Sequence, residues 1–209
     1  MSVRLTDDQA TVRHRLDLVW VALGLVLLVL SALPVDEHSL SGAERSVFRA
    51  VNEVPGIPFL PVWLLMQAGN VAAVVIATAG ALVARRPRLA AALVAAGALA
   101  YGGAKLVKEF VTRGRPDTLL GDVEIHGTAA HGLGFVSGHA AVAVALAVVA
   151  LPHLGPRARW MVAALAAFVC VARVYVGAHL PLDVVGGAAL GLLVGALVRL
   201  AFGRPEPCS

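Results

Sequence analysis

The stretch "GFVSGHAAVAVALAVVALP", Gly134 to Pro152, begins with a serine, a glycine and a histidine and then runs apolar for about the thickness of a lipid bilayer. Ser137 stands directly before the apolar run, where it is a natural helix N-cap. The backbone N–H groups of Gly138 and His139 then fall in the first turn, with no acceptor inside the helix. Such a terminus attracts anions, and Gly138 lets one approach the backbone closely. The chain thus places hydrogen-bonding and titrating groups at the mouth of a segment otherwise suited to lipid.

The surrounding sequence makes lipid the solvent. Of 209 residues 59% are hydrophobic and only 14% are charged, and the mean hydropathy is +0.83. These values lie outside the soluble globular range and indicate a single polytopic helical domain. The net charge of +4 comes from Lys and Arg in short groups between apolar runs, a distribution that marks membrane topology and excludes a nucleic-acid partner. Cys170 lies inside an apolar run and Cys208 is the penultimate residue. Their settings differ, so two free thiols are expected.

Six runs approach the roughly 20 residues needed to cross the hydrocarbon core: Leu18 to Leu33, Pro61 to Val83, Leu89 to Val107, Phe135 to Leu151, Trp160 to Tyr175 and Leu182 to Phe202. The first follows Arg4, Arg13 and Arg15 but lacks a small-residue cleavage site, so a retained helix is expected. If the spans alternate, these arginines share one side with Arg85, Arg86, Arg88, Arg157, Arg159, Arg199 and Arg204. The positive-inside rule makes that side, with both termini, cytoplasmic. The organisation expected is a cytoplasmic lead-in over residues 1–17, one six-span domain over 18–202 and a cytoplasmic tail over 203–209.

The opposite side breaks the pattern. Lys108, Arg113, Arg115 and Arg173 gather near the outer boundary without an equal number of nearby carboxylates, beside His139, His179 and Asp183. Ionisable groups at membrane depth are functional-site candidates by default. In "KEFVTRGRP", Lys108 and Arg115 are seven apart and share a face if the helix persists. Pro116 disfavours helix at Arg115, so the helix should end near Gly114 and Arg115 should sit on a loop. In "ARVYVGAHLPLD", Pro181 suits a first helical turn. Asp183 then follows His179 by one turn and can accept from one ring nitrogen, leaving the other free to attack. Read singly, these motifs are snorkelling cations, an ordinary cap and a satisfied loop histidine. Together they supply cations and N–H donors for phosphate oxygens, a nucleophile and an acid.

Lys108 with Arg115 and Pro116, Ser137-Gly138-His139, and Arg173 with His179 and Asp183 resemble, in order and spacing, the three-part signature of the type 2 phosphatidic acid phosphatase superfamily. The likeness is to its integral-membrane, bacterial undecaprenyl-diphosphatase-like branch. It implies an all-α, six-transmembrane-helix bundle with an acid phosphatase/vanadium haloperoxidase-like core. It also implies a metal-independent phosphatase with no cofactor; the topology above puts its active site on the extracytoplasmic face. His179 would attack phosphorus and form a phosphohistidine, Asp183 would orient it, and His139 would protonate the leaving oxygen. Lys108, Arg115, Ser137, Gly138 and Arg173 would bind the phosphate. Two positions depart from the family pattern: Val136 stands where Pro is usual, and Ala172 where Ser is frequent.

The expected partners are a membrane lipid phosphate and the bilayer; the oligomeric state is open, a homodimer included. A polyprenyl diphosphate is the first substrate expectation, then phosphatidylglycerol phosphate or phosphatidic acid. Arg113 and Asp117 are candidate substrate-loop residues, and the loop Pro116 to Gly134, with His126 and His131, could cover the site. Gln67 and Asn70 read as interhelical hydrogen-bond partners, and the Gly187, Gly191, Gly195 repeat reads as a groove for a helix, a second subunit or a lipid chain. A rival reading is an inactive lipid-phosphate binder or transporter. Intact His139, His179 and Asp183 count against it, because binding needs only the cations.

Overall fold

The computed structural model describes residues 11–205. Most of the expected lead-in (residues 1–10), the end of the tail (206–209), and with them Arg4 and Cys208, lie outside the described residues. The helices are α1 (Arg15–Ala32), α2 (Gly42–Asn52), α3 (Phe59–Met66), α4 (Val71–Val83), α5 (Pro87–Phe110), α6 (Pro116–Leu119), α7 (Gly138–Ala150), α8 (Pro156–Tyr175) and α9 (Pro181–Phe202). A two-residue antiparallel pair, β1 (Thr11–Val12) with β2 (Arg204–Pro205), joins the two ends of the described chain.

Helices α1, α5, α8 and α9 are long and apolar enough to cross a membrane. The expected second span is not one helix: α3 and α4 meet at a 65° bend, and together they make a fifth candidate. The break is written in residues 67–70, a single 3-10 turn ending at Asn70. Gln67 Nε2 donates to the Trp63 carbonyl, Asn70 Nδ2 donates to Gln67 Oε1, and Asn70 Oδ1 accepts from the Ala72 N–H, capping α4. These two amides therefore build the bend, where interhelical bonds were expected. The expected fourth span, α7, has 13 residues, about 20 Å at 1.5 Å each, against a hydrocarbon core of about 30 Å. Among the described residues four helices are long and apolar enough to cross a membrane, or five spans if the bent pair counts as one, where six were expected.

Helix α7 is the buried centre, and small residues let its neighbours close on it. A Cβ on Gly187 would strike the Ser137 carbonyl, one on Gly191 the Ala141 carbonyl, and one on Gly195 would lie 2.7 Å from Val148 Cβ. The glycine groove on α9 is therefore filled by α7, which settles what the repeat serves. On the other side of α9, Gly24 of α1 admits the Leu193 backbone, which would lie 2.7 Å from a Cβ there. Close packing of small side chains is how helices associate without a hydrophobic drive. The outward faces stay apolar, with Leu18, Leu30, Ile76, Val83 and Trp160 among the exposed side chains.

One end of the bundle is tied by arginines. Asp17, fully buried, meets Arg199 at 2.6 Å, and Arg86 Nη1 donates to the His153 carbonyl. The other end carries the three motifs singled out in the sequence, separated from the first by the full length of α9, about 33 Å for its 22 residues. The segment between α1 and α3 contains α2. Its Glu44, Phe48 and Asn52 are buried on one face. Asn52 Nδ2 donates to the carbonyls of Glu124 and Tyr175, which fastens α2 to the 116–134 loop and to the end of α8.

Candidate active site

Two helix N-termini meet at the site. Ser137 caps α7, its Oγ facing the Ala140 N–H at 3.5 Å, and its own backbone N–H donates to the Asp183 carbonyl at 2.8 Å. The second and third motifs are thus pinned together by one bond. The Gly138 and His139 N–H groups are left in the first turn of α7, as expected. Val136 is wholly buried, and its Cγ1 would lie 2.8 Å from a Cβ on Gly186. The Phe135–Val136 peptide bond is cis. The departure at 136 therefore falls in α7–α9 packing and leaves the hydrogen-bonding groups of the site untouched.

His179 sits in the turn between α8 and α9, 3% exposed. Its backbone N–H donates to the Arg173 carbonyl at 3.1 Å, which ties the turn to the cation-bearing end of α8. Gly177, at φ +72°, makes the turn possible, and a Cβ there would meet the Glu124 carbonyl at 2.8 Å. His179 Nδ1 faces Asp183 Oδ2 at 3.5 Å, longer than a formed hydrogen bond and of the kind that tightens when substrate binds. Asp183 is fully buried in the first turn of α9 behind Pro181, as expected. Its Oδ2 accepts from the Leu180 N–H at 2.9 Å.

The cations close around this pair. Helix α5 ends at Phe110, four residues before the expected Gly114, so Lys108 is helical and Arg115 lies beyond, as N-cap of α6. Lys108 Nζ donates to the carbonyls of Leu133 and Gly134 at 2.7 and 3.1 Å, and a Cβ on Gly134 would stand 3.1 Å from Asp183 Oδ2. Arg115 donates to the carbonyl of Ala178, next to His179, at 2.6 Å and to that of Gly132 at 3.0 Å. Arg173 is 8% exposed, with Nη1 3.3 Å from Met66 Sδ and its buried Nε without a partner among the described residues. Gly69 of the α3–α4 bend packs on the other face of His139, where a Cβ would be 2.9 Å from the His139 Cβ.

Several expected residues do something else. Arg113 is no substrate-loop residue: it is 1% exposed and forks onto Glu44 at 2.6 and 3.1 Å while also donating to Asp183 Oδ1 at 3.0 Å. These carboxylates hold its pKa above the ordinary arginine value in spite of burial. Asp117 is exposed on α6. His126 stacks on Tyr175 with ring centroids 4.3 Å apart, His131 is exposed, and Lys105 lies over the Tyr101 ring. The loop does reach the site, through the carbonyls of Gly132, Leu133 and Gly134. Glu44 was missed. Its signal was Ser41-x-x-Glu44, a capping-box spacing, ahead of Phe48 and Asn52 at helical intervals. Ser41 does cap α2, but the Glu44 carboxylate turns to Arg113.

Burial, with Arg173 and Arg115, outweighs the opposing pull of Asp183 and pushes the His179 pKa down to about 4. The ring is neutral near neutral pH, the state in which an imidazole can act as a nucleophile. The unfolded chain takes up a proton near pH 6.5 that the folded chain refuses until about pH 4. Stability from this group is complete above about pH 6.5 and drains as the pH falls towards about 4. The thermal midpoint in detergent should therefore drop between about pH 7 and about pH 5, and His179→Asn should flatten that slope. An equal slope in both proteins would assign it to other groups.

The family model of the PAP2 superfamily matches residues 88–206. The crystal structure of LpxE from Aquifex aeolicus is similar at a TM-score of 0.70 and 24% identity, covering 76% of this chain and 95% of that one. The transmembrane PAP2 type phosphatidylglycerolphosphate phosphatase from Bacillus subtilis is similar at a TM-score of 0.65 and 26% identity, covering 86% of this chain and 94% of that one. No curated protein sequence matches the chain.

Proposed function

This chain belongs to the PAP2 superfamily, and from that membership we propose that it is a multi-pass membrane phosphatase. It removes a terminal phosphate from a lipid, through a phosphohistidine and without a metal. The observation that carries the reading is one of charge. Lys108, Arg115 and Arg173 converge on His179 and Asp183, yet their nitrogens are bonded to backbone carbonyls and a thioether. Among the described residues none of the three has a carboxylate within 4 Å, whereas Arg113 is paired. Three cations left uncompensated around a buried imidazole call for a polyanion.

In the proposed sequence, Asp183 holds the proton on Nδ1 of His179, so the lone pair of Nε2 attacks phosphorus. An N–P bond forms, the P–O bond to the lipid breaks, and His139 gives its proton to the departing oxygen. Water then attacks the phosphohistidine, His139 takes the water proton back, and inorganic phosphate leaves. The cations and the Gly138 N–H hold the equatorial oxygens throughout.

A lipid substrate is favoured by what adjoins the phosphate groups. The His139 face of α7 continues one, two and three turns down through Ala143, Ala147 and Ala150. These line an apolar cavity of about 360 Å³ with Ala68, Ile76 and Val162, room for hydrocarbon beside the anion site. The arginines at the opposite end of the bundle support an extracytoplasmic site, since the positive-inside rule assigns the arginine-rich end to the cytoplasm. A polyprenyl diphosphate is the first substrate choice. Phosphatidylglycerol phosphate follows, for which the Bacillus subtilis neighbour is named.

The test is phosphate release by the purified protein in detergent containing EDTA, across a panel of polyprenyl diphosphate, phosphatidylglycerol phosphate and phosphatidic acid. Release is expected on at least one lipid and at an undiminished rate with chelator. No release on any of them overturns the reading; release abolished by EDTA overturns its metal independence.

A further inference from the structure

We propose that Glu44, on α2, is a positioning residue that acts through Arg113 to keep the charge of Asp183 available to His179. The role rests on the phosphatase reading above. Four groups form an unbroken buried chain. Glu44 accepts from Arg113 Nη2 at 2.6 Å and Nη1 at 3.1 Å. Arg113 Nη1 donates to Asp183 Oδ1 at 3.0 Å, and Asp183 Oδ2 faces His179 Nδ1 at 3.5 Å. The four side chains are 7%, 1%, 0% and 3% exposed. Glu44 Oε1 also accepts from the Leu182 N–H at 2.9 Å, a first-turn donor of α9 that has no partner inside its helix.

The charges explain why two carboxylates surround one guanidinium. With Asp183 as its sole partner, buried Arg113 would cancel the carboxylate that must stabilise the positive imidazole developing during attack. Glu44 takes the forked, stronger pair of bonds, and the three groups together keep one net negative charge, placed beside His179. In so buried a setting that charge is poorly screened. Glu44 touches neither the imidazole nor the phosphate cations, so its effect must travel through Arg113. Helix α2, outside every candidate span, thereby becomes part of the catalytic assembly.

The charged groups facing His179 are Asp183 from α9, Arg173 from α8 and Arg115 from the loop after α5; Glu44→Gln alters none of them directly and preserves shape. The expected result is a kcat about tenfold lower with KM within about twofold, because an interaction made chiefly in the transition state is weakened. Glu44→Asp, which keeps the charge, should retain a kcat within about threefold of the parent. In protein labelled with ¹⁵N-histidine, the His179 imidazole should titrate about half a unit lower in Glu44→Gln, since negative charge has left its surroundings. Equal kcat and equal titration in Glu44→Gln and the parent overturn the proposal. So does a Glu44→Asp defect as large as that of Glu44→Gln, which would make Glu44 a packing residue. If the parent releases no phosphate, the phosphatase reading fails, while the His179 titration still decides whether Glu44 reaches it.

Discussion

His179→Ala is expected to remove phosphate release from the purified protein, by about five orders of magnitude or more, the scale seen when a covalent nucleophile is deleted. Its imidazole is held from two sides, by its own backbone N–H on the Arg173 carbonyl and by Asp183 beside Nδ1. No other histidine among the described residues has that combination of burial and orientation. His139 is half-buried at the start of α7, with no carboxylate partner among the described residues, so nothing fixes its tautomer for attack as Asp183 does for His179. The substitution leaves Lys108, Arg115 and Arg173 in place, so binding of inorganic phosphate, read by calorimetry, should weaken less than tenfold. A variant that retains release within about tenfold of the parent rules out a covalent role for His179. Loss of phosphate binding in parallel would instead mean that the alanine collapsed the turn.

How far the sequence foretold this site depended on whether the information was local. Ser137, Pro181 and Asp183 announce themselves, because capping and first-turn chemistry is decided within four residues. The Gly187, Gly191, Gly195 spacing foretold a groove but not its occupant, since nothing along α9 encodes which neighbour is small enough to enter. The bend at residues 67–70 was legible in hindsight: Gly69-Asn70 is a stop and a start in succession. The apolar run on either side hid it, as composition carries no direction. Arg113 was misplaced for a different reason. Its neighbours in sequence are the phosphate cations, and only the arrival of α2, 69 positions earlier at Glu44, turns it away from solvent. Long-range ion pairs leave no periodicity to read.

Asp183→Asn tests whether the carboxylate or merely its shape is needed, and the amide has no good orientation. With its oxygen towards Arg113, the NH₂ group faces both the Leu180 N–H, from which Oδ2 now accepts at 2.9 Å, and His179 Nδ1, 3.5 Å away. Donor then opposes donor, and Nδ1 is driven to accept. The ring proton moves to Nε2 and removes the lone pair that attacks phosphorus. Flipped, the NH₂ group opposes Arg113 Nη1, which lies 3.0 Å from Oδ1 in the parent. Either way a buried donor goes unpaired, at a cost of about 1–3 kcal/mol. The expected kcat falls by about 10⁴, the effect of giving a catalytic histidine the wrong tautomer, with a lower thermal midpoint in detergent. Asp183 also caps α9 and pins Ser137 through its carbonyl, so stability alone cannot separate the two roles. Tautomer can: in ¹⁵N spectra of histidine-labelled protein, His179 should carry its proton on Nδ1 in the parent and on Nε2 in the variant. A variant with the parent's tautomer and a kcat within about tenfold of it would reduce Asp183 to a helix cap. His179 would then have to draw its reactivity from burial and the surrounding cations alone.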